Sequence, residues 1–93
     1  MVVAVQTWEL HLPSCQSLKD KRAILQSLLA RLRRGQNLSV AESEHQDLWQ
    51  RAEIAGAVVG SDRGVVEGIL RAADRMVEET DGVRIIESAT SWL

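Results

Sequence analysis

Residues 37–59 read NLSVAESEHQDLWQRAEIAGAVV, and the pattern of this stretch decides the fold. Leu38 and Val40 alternate with Ser39, Ala41 and Ser43, the period of a strand with one apolar and one polar side. A polar link, His45-Gln46-Asp47, separates this run from a second one, roughly Trp49 to Val59. There Ala52, Ile54 and Val58 point one way, and Arg51 and Glu53 the other. So short a link joins antiparallel neighbours, and the stretch predicts a β-hairpin.

A helix is predicted on each side of the hairpin. Before it, Ser17 to Arg34 places Leu18, Leu25, Leu28, Leu29 and Leu32 in one stripe. Ser17 is placed to cap this helix, Asp20 suits the positive end of its dipole, and Gly35 suits a C-terminal stop. After the hairpin, Ser61 is expected to cap a helix from Asp62 to Glu79. Its apolar face is Val65, Val66, Ile69, Leu70, Ala73, Met76 and Val77.

Farther out, Val2 to Leu12 reads as a strand ended by Pro13, the single proline. Trp8, Leu10 and Leu12 lie on one face of it, and Thr7, Glu9 and His11 on the other. Asp81-Gly82 turns the chain into a last strand, Val83 to Trp92. The order β-α-β-β-α-β, with two amphipathic helices needing one apolar surface, predicts an α+β, ferredoxin-like domain over residues 1–93. Its four-stranded antiparallel sheet has strand order 4-1-3-2, with both helices on one face. The opposite face is left bare, with Val3 and Val5 on it.

Composition narrows the function. The 93 residues carry 11 Lys and Arg against 13 Asp and Glu, a net charge of −2, so bulk charge does not attract nucleic acid. One cysteine, Cys15, excludes an internal disulfide. The spacings of His11, Cys15 and His45 match no metal motif, and the glycines at 56, 60, 64 and 68 form no phosphate loop. No apolar run suits a membrane span, and the N-terminus lacks the basic start of a secretion signal. No cofactor, metal, membrane association or catalytic residue is expected.

Charge is nevertheless concentrated. Ser17 to Gly35 holds six bases and one acid, whereas the rest of the chain holds five bases and twelve acids. Lys19, Arg22, Arg33 and Arg34 are therefore candidate nucleic-acid-binding residues, although a solvated helix face has the same pattern. Glu9, His11, Arg51 and Glu53 form a candidate polar cluster on the open sheet face. Exposed cross-strand ion pairs account for them equally well. The absence of Phe and Tyr argues against base stacking of the usual RNA-recognition kind, and leaves Trp49, Trp8 and Trp92 as the aromatic candidates.

The stretches Glu9-Leu10-His11-Leu12-Pro13, Ser17-Leu18-Lys19-Asp20-Lys21-Arg22 and Ser39-Val40-Ala41-Glu42, the last leading to His45-Gln46-Asp47-Leu48-Trp49-Gln50-Arg51-Ala52, resemble the YlxP-like family of small bacterial proteins. The family is ferredoxin-like and of unknown function. Its genes often neighbour those for transcription termination, translation initiation and ribosome maturation. Its polar motifs fall here on Glu9, His11, Ser17, Lys19, Lys21, Arg22, Glu42, His45, Asp47, Gln50 and Arg51, with Asp20 where glutamate is usual. Lys21, near the centre of the apolar stripe, should seek Glu42 or Asp47, so that Lys21, Glu42, His45 and Asp47 form a third candidate cluster where the hairpin meets the helix start.

The resemblance implies a cytoplasmic bacterial protein connected with RNA or the ribosome. A non-enzymatic RNA- or ribosome-associated binding module is therefore expected. The alternatives are a homo-oligomeric interaction domain, such as a homodimer, packing through its open sheet face, or a small-ligand-binding protein.

Overall fold

The computed structural model describes residues 1–93. Its elements are β1 (Val2–His11), α1 (Leu18–Gly35), β2 (Ser39–Glu44), β3 (Arg51–Gly60), α2 (Arg63–Glu78) and β4 (Arg84–Trp92). The strands lie in the order β2-β3-β1-β4 and every neighbouring pair is antiparallel. This is the ferredoxin-like arrangement that two β-α-β halves adopt when both crossovers are right-handed.

Alternation assigns the faces. Ala4, Gln6, Trp8 and Leu10 of β1 are buried, while the residues between them are only half-buried. On β3 the inward set is Ala52, Ile54, Gly56 and Val58. Leu25, Leu28 and Leu32 of α1 and Val66, Leu70, Ala73 and Val77 of α2 close over this side in a single core of 18 residues. The other side of the sheet has no helix over it. Gly56 leaves room for the β2 side chains: a Cβ there would stand 2.8 Å from Leu38 Cδ1 and 3.2 Å from Val40 Cγ1, so both would have to shift.

Several polar groups drawn into this core are partnered across elements, whereas Arg31 Nε has no partner. Trp8 Nε1 donates to Asp74 Oδ1 across 3.0 Å, fixing α2 on β1. Gln6 receives the Thr90 hydroxyl, and Arg31 of α1 donates to Thr80 Oγ1 at the end of α2.

Several expected boundaries move. β3 begins at Arg51 and not at Trp49, because residues 45–50 form a longer link than the polar triplet suggested. Asp62, not Ser61, caps α2, accepting from the Val65 amide at 2.9 Å. Val65, expected on the apolar face of α2, is exposed in its first turn. Gly35 belongs to α1, and Gln36 follows as the cap residue. Ser17 caps α1 as expected, accepting from the Asp20 amide, while Asp20 accepts from the Gln16 amide.

Two register shifts mark one end of the sheet. One lies opposite Glu9/Leu10 and sets Ile86 apart from the β1–β4 pairing. The other, between Glu42 and Glu44, does the same to Ser43 in the β2–β3 pairing. Each is a one-residue bulge, which re-aims side chains locally.

Candidate functional site

The link between β2 and β3 folds down over the first turn of α1, and a buried lysine holds it there. Lys21 is 1% exposed. Its ammonium donates to the carbonyls of His45 (2.7 Å), Arg51 (3.2 Å) and Gln46 (3.5 Å). Three carbonyls occupy the three N–H groups of an ammonium, and the neighbouring Glu42 Oε2, 3.0 Å away, balances the charge. Gln50 ties the other end of the link to the segment entering α1, through the carbonyls of Pro13 and Cys15. The Leu12 amide donates to the Gln50 carbonyl at 2.9 Å.

His45 takes a left-handed φ of 66°, a conformation that costs most non-glycine residues about 1–2 kcal/mol. Its carbonyl then accepts from both Lys21 and the Leu48 amide. The same turn sends the imidazole to the bare sheet face, where Nε2 stands 2.8 Å from Glu9 Oε1. Arg51 Nη2 reaches that oxygen at 2.6 Å. Glu9 is thus the hub of a polar cluster, paired with Arg51 and contacted by His45, whose own backbone joins it to Lys21. The two polar clusters read from the sequence are in fact continuous through His45.

Not every expected member joins. Glu53 accepts from the bulged Ser43 hydroxyl at 2.8 Å instead of meeting Arg51. His11 and Asp47 make no ion pair or side-chain hydrogen bond, and Lys21 selects Glu42 over Asp47. Ser43 and Glu87 belong to the site, although sequence reading missed them. Glu87 lines a shallow cleft of about 360 Å³ with Glu9, Arg51 and Glu53. Their approach depends on the two bulges, which leave no signal in residue order.

No thiol stands in this cluster, and the Ser43 hydroxyl is hydrogen-bonded to Glu53. Cys15 is buried, and its thiol is pushed above its ordinary pKa first by burial and then by the Asp20 carboxylate, with Lys21 opposing. The thiolate is accordingly disfavoured.

On α1, Lys19, Arg22, Arg33 and Arg34 are all exposed and make no ion pair. Arg33 is partly committed, donating to the Val40 carbonyl on β2 at 2.9 Å. Contacts of this kind shield a sheet edge.

Trp8 is fully buried, and Trp92 is half-buried with the Arg63 guanidinium 4.1 Å from its ring centroid. Trp49 stands in the link with its side chain turned out: the residue is 53% exposed and its neighbour Leu48 48%. No helix is long and apolar enough to cross a membrane.

Comparison with known proteins agrees with this layout. The family model described as "Protein of unknown function (DUF503)" matches residues 3–90. The uncharacterized protein YlxP of Bacillus subtilis (strain 168) is 33% identical over 76 residues, 82% of this chain and 83% of that one. Among solved structures, the de novo designed protein Foldit4 superposes with a TM-score of 0.59 at 14% identity, over 98% of this chain and 97% of that one. That likeness concerns the fold alone.

Proposed function

The chain belongs to the DUF503 family of proteins of unknown function, and from this starting point we propose that it is a non-enzymatic, cytoplasmic module that binds RNA or an RNA-rich partner such as the ribosome through α1. One observation carries the reading. Lys19, Arg22 and Arg34 are exposed cations without a carboxylate partner, in a chain whose net charge is −2. A cation with no internal partner is free to displace the counterions of a phosphate backbone. The bare sheet face suits RNA poorly, because Glu9, Glu53 and Glu87 gather there and it carries no aromatic platform.

Binding to bacterial RNA across a salt series tests the proposal. With three phosphate contacts to a single strand, the logarithm of affinity should fall against the logarithm of salt with a slope of about −2. Reversing Lys19, Arg22 and Arg34 to Glu should abolish binding. Arg33 is left in place, since removing it also uncovers the Val40 carbonyl. Binding that is undetectable, insensitive to salt or unchanged by the reversals would overturn the proposal.

The open sheet face favours a second, compatible reading, a homodimer. Val3, Val5, Ala55, Ala57 and Val59 adjoin on β1 and β3 through the pairs Val3–Val59, Val5–Ala57 and Thr7–Ala55. A flat patch of small apolar residues suits a second sheet.

A further inference from the structure

We infer that Trp49 is a base-stacking platform for single-stranded RNA passing the first turn of α1. The inference rests on the RNA-binding reading above and gives it a substrate class. A tryptophan 53% exposed on a connecting segment usually belongs to a mobile loop, where ordering it on binding would oppose affinity. Here the backbone on both sides of Trp49 is already held. Lys21 grips His45, Gln46 and Arg51, and Gln50 is bonded through its carbonyl to Leu12 and through its side chain to Pro13 and Cys15. The indole is presented by a rigid support, and a buried lysine is committed to building it.

That same lysine ties the link bearing Trp49 to the helical turn that carries two of the proposed cations. Lys19 and Arg22 belong to the helical turn whose Lys21 donates to the link carbonyls, so these two cations and the indole lie at the same end of α1. Asp20 and Asp47 lie at this end too, so the surface is only mildly cationic and charge alone gives weak affinity. Stacking on an aromatic face adds affinity that salt does not screen, and every unpaired base offers it. Base-paired RNA buries those faces within the helix, so a single strand is the form that fits.

The test uses the full chain with a short single-stranded oligoadenylate, the same oligonucleotide with abasic sugars, and a duplex of equal length. Trp49→Ala should weaken oligoadenylate binding about five- to more than a hundredfold, equivalent to ~1–3 kcal/mol at 1.4 kcal/mol per tenfold. Trp49→Phe should keep most of the affinity. The abasic strand should bind parent and Trp49→Ala equally, and the parent should prefer the single strand to the duplex. Oligoadenylate should also quench tryptophan emission in the parent but not in Trp49→Ala. Should Trp49→Ala bind like the parent while reversal of Lys19, Arg22 and Arg34 still abolishes binding, the stacking role fails and the RNA reading survives. No RNA binding by the parent overturns both. Capture of a protein by Leu48 and Trp49 in nuclease-treated lysate, with no stacking signature on RNA, also overturns the stacking role.

Discussion

Lys21 is the residue on which the candidate site turns. Removing an ammonium from water is costly unless each of its protons finds an acceptor, and the link between β2 and β3 supplies three carbonyls together with Glu42. The relation runs both ways, since without the lysine the Gln46 and Arg51 carbonyls would lose this donor and the His45 carbonyl would keep only the Leu48 amide. Lys21→Met, which keeps the apolar stem, should therefore lower stability by about 2–4 kcal/mol in urea unfolding. It should also speed amide hydrogen exchange in residues 45–50 more than in β1. Unchanged stability and exchange would show that the clamp is dispensable. This residue is legible in the sequence: a lysine at a stripe position needs a partner, and Glu42 and Asp47 are the carboxylates on offer. The carbonyls are not legible there, because backbone acceptors carry no mark in residue identity. The expected cluster also groups His45 with Lys21 by side chain, whereas the contact is through the His45 backbone and the imidazole serves Glu9.

Among the elements, the helix caps show how narrowly a boundary is set. Ser61 and Asp62 are adjacent and both are good capping residues, so residue type does not choose between them. The geometry does, because Asp62 has the extended backbone of a cap and its carboxylate accepts from Val65. Asp62→Ala should cost about 1 kcal/mol and Ser61→Ala almost nothing, a difference readable in thermal or urea unfolding. Equal losses would contradict the assignment. The two strands of the hairpin were legible from alternation, but the start of β3 was not. Leu48 and Trp49 extend the apolar run locally, yet they lie outside the sheet because Lys21 and Gln50 draw the link over α1. Tertiary hydrogen bonds there override strand propensity.

For the whole molecule, the arrangement leaves one broad surface uncovered. Four strands about 4.8 Å apart and some nine residues long offer on the order of 600 Å² per copy, so a face-to-face pair would bury about 1,200 Å², the lower end of stable interfaces. β1 and β3 occupy the centre of the sheet, one bearing Glu9 and the other Arg51. A twofold axis along the strands lays β3 of one copy over β1 of the other, so that the apolar ends, with Val3, Val5, Ala57 and Val59, meet. Sedimentation equilibrium should accordingly show a concentration-dependent approach to twice the chain mass, lost on Ala57→Glu. A chain that stays monomeric at high concentration would overturn the dimer.

Element order, strand order and the inward sides of β1, β2, β3 and most of both helices follow from residue order alone, through periodicity and the few ways two amphipathic helices can cover one sheet. The partners within the polar site were decided only in three dimensions. A bulge of one residue and a single left-handed turn at His45 redirect whole side chains, and such shifts arise from the balance of distant hydrogen bonds, not from any local pattern.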